Sequence, residues 1–358
     1  MNRGLSIAKM YLNPYQIVNW VAVLGHLIAS ITFISLYSNR TNLEIGYTES
    51  YLKWVRINGS MYNNVTMNST DACDKLKPPG RNLSTANNGD FCIVATTAGG
   101  IGGLDLGWLI ISFHLLSFFF QALAGITDYW PITISIGEEK YTFKYSEMIE
   151  DKGKNPLRFI EYSISASIML ICIAFLNGVT DINLIAAIAV LTAMCQICGL
   201  VVEYMTDEQI IWQWALHFTG WVQFLCAYGI ISHAFFKSID AVPGVEPPQF
   251  VYVIVFMLFA LYACFGAVQL VELCQKTDQF LCFKTFLWCI PCCGCKCKLC
   301  NDCVCCGIRC KRIKGKEKDD NRCDNQCKEL SYVILSLGAK LTLGMLIFTN
   351  VLFSTREA

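Results

Sequence analysis

Lys340 is the residue whose setting most demands chemistry. It sits near the centre of an apolar run, Leu330 to Phe353, that holds no other charge. An ammonium at the middle of a bilayer costs about 2.5–3.5 kcal/mol on insertion scales. The run is long enough to span, because about 20 apolar residues cover the ~30 Å hydrocarbon core. Lys340 therefore requires a counter-ion, a neutral form, or a covalent partner that changes its chemistry. A Schiff base with a carbonyl chromophore satisfies that requirement, and so does a plain buried ion pair. This segment alone leaves both open.

Glu161 is the expected counter-ion. It lies about one turn inside a span that opens Asn155-Pro-Leu-Arg, where Pro156 suits the first helical turn. Arg158, three residues earlier, shares a helix face with Glu161, so an interfacial Arg–Glu pair is the competing assignment. Ser336 is four residues before Lys340 and on its face, which makes it an auxiliary acceptor; Ser165 is grouped with it. His26 and His114 are central in the first two spans. A lone intramembrane histidine is usually an interhelical hydrogen bond. Two at the depth of Lys340 predict a polar network that can receive a proton. His217 could reach the same cavity, and His233 is nearer a span end.

These residues need a membrane scaffold, and the composition supplies one. The chain is 54% hydrophobic and 16% charged, with mean hydropathy +0.43 and zero formal net charge. That is a polytopic membrane class with no basic surplus for nucleic acid. Seven windows reach spanning length: 15–37, 104–126, 157–177, 182–204, 210–236, 249–274 and 330–353. Each reads as helix, because an open strand cannot satisfy its backbone in lipid. The expected fold is an all-α seven-transmembrane helix bundle. Met1–Asn13 lacks a signal-peptide pattern, so the first span is expected to act as the membrane signal.

Two features orient the bundle with its N-terminus cytosolic and its C-terminus outside. Segments on the inner side then carry 18 Lys/Arg against 8 outside. Five sequons, at Asn39, Asn58, Asn64, Asn68 and Asn82, all fall in the outer loop 38–103. They predict N-glycosylation and a eukaryotic-type plasma membrane or endomembrane. Cys73 and Cys92 share that loop and could form a disulfide.

At this point the residues resemble a family. Asn155-Pro-Leu-Arg-Phe-Ile-Glu-Tyr-Ser-Ile-Ser-Ala-Ser167 and Ser336-Leu-Gly-Ala-Lys340 are similar to the third- and seventh-helix signatures of heliorhodopsins. Phe113-His-Leu-Leu-Ser-Phe-Phe-Phe-Gln121 and His26 resemble that family's second and first helices. The resemblance implies all-trans retinal on Lys340, Glu161 as its counter-ion, and His26 and His114 beside the Schiff base. It further implies that Met169, Gly199, Phe265 and Gln196 line the retinal, and that the protein forms a homodimer. Phe159, Thr192, Gln196 and Glu272 depart from the family pattern and bear on colour and photocycle timing.

The inner loop 275–329 is unusual for that family and holds thirteen cysteines. Cys289/Cys292, Cys297/Cys300, Cys300/Cys303 and Cys303/Cys306 have zinc-ribbon-like spacing. A cytosolic loop stays reduced, which disfavours disulfides. Zinc binding is the first expectation, and juxtamembrane S-palmitoylation the second. A basic stretch, Arg309 to Lys318, follows. The whole insert is the expected docking place for a cytosolic signalling partner.

The leading function is a light sensor signalling through the cytosolic loops. The alternative is a light-gated proton conductor using Glu161, Glu203 or Glu272, which a light-evoked current would reveal. A retinal-free scaffold is the third class and predicts no pigment. No nucleophile–base pair, nucleotide loop or HExxH helix is present, so an enzyme is not expected.

Overall fold

The computed structural model describes residues 13–38, 44–56, 91–137, 139–241, 249–276, 302–305, 308–311 and 317–349. Among them are seven helices of 21–32 residues: α1 (Pro14–Tyr37), α2 (Leu106–Thr127), α4 (Pro156–Leu176), α5 (Ile182–Tyr204), α6 (Ile210–Ala241), α7 (Gln249–Lys276) and α8 (Glu317–Ile347). A short α3 (Tyr145–Glu150) precedes α4. Six of the seven long helices are apolar enough to cross a membrane. The seventh is α6, the predicted fifth span, whose apolar run is diluted by Gln213, His217, Gln223 and His233.

The helices turn their polar residues inward. On α1 the buried face includes Asn19, His26 and Ser30 at helical spacing, while Ile17, Val21, Leu24, Ile28 and Ile31 are exposed. In water, each exposed Ile or Leu would forgo about 1.5–3 kcal/mol of burial. In lipid no such penalty exists, and the polar groups must instead find partners within the bundle. Each long helix packs on its neighbour in the chain, and α8 closes the ring by packing against α1. The main core runs through α1, α2, α4 to α8 and is built from residues such as Phe33, Ile110, Leu170, Ile173, Ile254 and Leu343.

The all-α expectation needs correction. Antiparallel hairpins form from β1 (Glu44–Arg56) with β2 (Phe91–Asp105), from β3 (Ile132–Ile136) with β4 (Glu139–Phe143), and from β5 (Asp302–Cys305) with β6 (Ile308–Lys311). All lie between spans, where backbone groups can pair across strands or meet water; Ile132–Ile136 alternates apolar and polar as a strand requires. The long hairpin docks on the α4–α5 turn: the Thr48 N–H donates to the Thr180 carbonyl at 3.0 Å and the Ser50 N–H to Asp181 Oδ2 at 2.9 Å. Asp181 also caps α5 by accepting from the N–H groups of Asn183 and Leu184.

The boundary at residue 330 also moves. α8 starts at Glu317, so residues 317–329, expected as the end of the insert, are helical. The polar stretch reads as loop by hydropathy, yet Cys327, Glu329 and Leu330 are buried and continue the inward face of the span. We call the end of the bundle that carries the α7–α8 connection the insert end, and the opposite one the hairpin end.

Candidate functional site

Asn155 caps α4, accepting from the Arg158 N–H at 3.1 Å, with Pro156 in the first turn as expected. That start fixes the rotation of α4 and turns Arg158, Glu161, Tyr162, Ser165 and Met169 into the bundle. On α8, Ser336 and Lys340 face them. Lys340 is 3% exposed and forms an ion pair with Glu161, itself 2% exposed. Lys340 also donates to Ser336 Oγ at 2.9 Å and lies 5.0 Å from the centre of the Tyr162 ring. The sequence did not flag Ser117 on α2, which donates to Glu161 Oε1 at 2.6 Å. Its position three residues after His114, on the same helix face, was the available signal.

The competing Arg158–Glu161 pair does not form. Arg158 binds Glu203 on α5 and Glu329 on α8, both buried. Glu329 also accepts from Asn155 at 2.7 Å and from the Tyr145 hydroxyl at 3.0 Å. Lys328 joins this cluster through Glu272 at 3.0 Å and Glu203 at 3.4 Å. The result is an ionic clamp at the insert end uniting α3, α4, α5, α7 and α8. Glu203 and Glu272 are thus tied to cations. Glu329 is hard to see in the sequence because it belongs to a charged stretch just outside the apolar run.

His26 and His114 meet directly, Nδ1 to Nδ1 at 3.0 Å. One neutral ring must donate there and the other accept, so the two Nε2 atoms are one acceptor and one donor. Both Nε2 atoms are buried without a partner among the described residues. The pair lies beside α8: a Cβ placed on Gly344, one turn beyond Lys340, would meet His114 Nε2 at 2.9 Å.

A long cavity runs from Lys340 across the bundle to α6. Its walls include Ser165, Met169, Gln196, Gly199, Phe265 and Ser336, all singled out from the sequence. Tyr162, Trp221, Phe224, Tyr262 and Tyr332 complete an aromatic lining. His217 reaches it, as expected. There the Trp221 indole N–H donates to His217 Nε2 at 2.9 Å, so Nδ1 carries the proton and donates to Gln269 Oε1 at 3.1 Å. His233 is exposed instead.

A long apolar molecule with one reactive polar end fits this cavity. Rings crowd its walls where glycine leaves room: a Cβ on Gly199 would meet the Phe159 ring at 2.6 Å, and one on Gly266 the Trp221 ring at 2.7 Å. The buried Ser165 Oγ lines the cavity near the amine end and has no hydrogen-bond partner among the described residues.

Several expected sites lie outside the described residues. These are Asn39, Asn58, Asn64, Asn68 and Asn82, Cys73, and Cys289, Cys292, Cys297, Cys300 and Cys306. Cys92 and Cys303 are described only as strand positions, opposite Val55 and Cys310. Among the described residues, no three His, Cys, Asp or Glu side chains are grouped to hold a metal ion.

Apolar helices with an inward polar face, and a buried lysine–carboxylate pair at one end of an aromatic cavity, define an integral membrane protein of the rhodopsin type. Residues 88–281 match the family model described as Heliorhodopsin, and the chain belongs to the heliorhodopsin family. Membership makes it a light-sensing membrane protein and implies a retinal chromophore. The match ends before α8, so the role of Lys340 rests on geometry. No curated protein matches the chain.

Proposed function

We propose that Lys340 carries retinal as a protonated Schiff base, with Glu161 as its counter-ion, and that the protein is a light sensor. The observation that carries this reading is the Lys340–Glu161 ion pair at the end of the aromatic cavity. The lysine Nζ stands where the Schiff-base nitrogen would be. Bound retinal supplies absorption of visible light and isomerisation about a double bond.

The chain's own residues do the rest. Glu161 offsets the positive charge in a buried site, where Ser117 and Ser336 supply further polar contacts. Ser165 adds a hydroxyl to the wall. Met169, Gly199, Phe265 and Gln196 confine the polyene. The His26–His114 pair offers a neutral acceptor nitrogen for the proton displaced from the Lys340 nitrogen. Phe265 packs near-parallel to Tyr332 at 6.1 Å, and Arg158 sits over that tyrosine ring at 4.0 Å. One ring therefore separates the cavity from the ionic clamp, a short path from the chromophore to the insert end.

In this reading the bundle has seven spans, with the N-terminus and the insert in the cytosol and the glycosylated loop outside. A signalling partner docks on the insert, and the protein pairs as a homodimer. Zinc held by cysteines of the insert is a separate proposal, read by metal analysis of the purified protein with and without chelator. A sensor is favoured over a proton conductor because Glu203 and Glu272 are engaged by Arg158 and Lys328 rather than free to relay protons. A reproducible light-evoked proton current would reverse that preference.

The counter-ion is tested by titrating the visible band of retinal-reconstituted protein. The visible band of Glu161→Gln is expected to respond to acid differently from that of the wild type. A Glu161→Gln titration identical to wild type would remove the assignment.

A further inference from the structure

The outward face of α2 does not stop where the helix does. Trp108, Leu115, Phe119 and Ile126 are exposed at helical spacing and form one apolar stripe. Trp130 continues it, because its N–H donates to the Ile126 carbonyl at 2.9 Å and keeps the helical turn. Trp108 and Trp130 are separated by 22 residues, or ~33 Å of helix, close to the ~30 Å hydrocarbon core. Tryptophan gathers at both membrane–water interfaces. Trp130 therefore marks the interface at the insert end, and the β3–β4 hairpin begins at that depth.

This hairpin is two-faced. Its register sets Ile132 opposite Phe143 and Ile134 opposite Tyr141, while Thr133 lies opposite Thr142 and Ser135 opposite Lys140. Strand alternation puts the first two pairs on one face and the last two on the other. On the polar face the Thr133 and Thr142 hydroxyls are 3.2 Å apart. Among the described residues the apolar face is left open, with Ile134 56% exposed and the adjoining Trp130 74% exposed. The root is fixed to the bundle: the Tyr145 N–H donates to Thr127 Oγ1 at 3.2 Å and the Ser146 N–H to Asp128 Oδ1 at 2.6 Å. Gln16 on α1 donates to the other oxygen of Asp128 at 2.7 Å. A lone hairpin is at best marginally stable in water, and its open isoleucines would forgo their burial there.

We propose that the β3–β4 hairpin is an interfacial membrane anchor. Ile132, Ile134 and Trp130 are seated at the headgroup–acyl boundary of the leaflet on the insert side. Lipid is the occupant, because the open face continues the lipid-exposed stripe of α2 at the depth that Trp130 sets. Thr133, Ser135, Lys140 and Thr142 are then left to headgroups and water. The anchor fixes the end of the helix that carries His114 and Ser117. It also borders the clamp, since Tyr145 at its root donates to Glu329 at 3.0 Å. It forms with or without a chromophore.

The test reconstitutes the full-length protein in phosphatidylcholine vesicles that include phosphatidylcholine with a photoactivatable diazirine near the top of one acyl chain. After illumination the lipid adducts are mapped by digestion and mass spectrometry. Adducts are expected on the peptide holding Trp130 to Ile134 as well as on the lipid-facing peptides of α1. Combining Trp130→Gln with Ile134→Asp should lower the hairpin adducts about tenfold relative to those on α1. The α1 adducts report in the same sample that the bundle has folded. A wild-type hairpin without adducts, beside a labelled α1, overturns the proposal whether or not the variant folds. A face covered by the insert, by a second copy or by a soluble partner would give that result. A double variant that folds and keeps wild-type labelling of the hairpin overturns it too.

Discussion

Lys340 is stable in its setting only because three groups answer it: a carboxylate from α4, a hydroxyl one turn back on its own helix, and the face of Tyr162. The carboxylate in turn depends on Ser117. A hydrogen bond to a charged group contributes about 1.5–3 kcal/mol, so Ser117→Ala should lower the thermal bleaching temperature of the pigment. An unchanged bleaching temperature would show that Ser117 does not support the charged pair. Lys340, Glu161 and Ser336 were legible from sequence because a charge in an apolar run advertises itself, and i−4 spacing shares a face. Ser117 was not. Serine is common in spans, and which way a helix is rotated depends on neighbours far away in the chain.

The elements meet most strongly at the insert end. Arg158 is buried between two carboxylates that come from helices distant in sequence. Removing one member of such a cluster costs about 3–5 kcal/mol, because the others stay buried and uncompensated. Arg158→Leu should therefore lower the thermal bleaching temperature markedly. Adding Glu203→Gln and Glu329→Gln should restore much of the loss, whereas an additive further loss would contradict the clamp. At the hairpin end, hydrogen bonds from Ser50 and from the amides of Leu184 and Asn183 hold the Asp181 carboxyl below the usual aspartate range. A carboxyl with a lowered folded value contributes stability above its unfolded value and loses it as pH falls through the folded one. Protection of the Ser50 amide against exchange, relative to its intrinsic rate at each pH, should thus fall on the acid side, and Asp181→Asn should remove that dependence. A wild-type protection factor that does not change with pH would contradict it. The seven long helices were readable from hydropathy and length. The strands were not, because Glu44–Arg56 and Phe91–Asp105 pair across a long separation. The first turns of α8 were hidden for a different reason: charge there serves the clamp, and hydropathy scores it as loop.

At the scale of the molecule, a closed ring of helices exposes aliphatic side chains outward, and among the described residues buried acid–base ion pairs gather at two levels, the Lys340–Glu161 pair and the clamp. That layout suits a receptor whose internal charge moves a short distance and changes how the insert end is held together. The family match runs from residue 88, just before β2, to residue 281, just past α7, and leaves α1 and α8 to be judged on their contacts. The direct measurement is chemical. Protein reconstituted with all-trans retinal is reduced with borohydride, digested, and read by mass spectrometry. The account predicts a visible pigment before reduction and a retinyl group on the peptide containing Lys340 afterwards. A colourless protein, or a retinyl group on any other lysine, would contradict it.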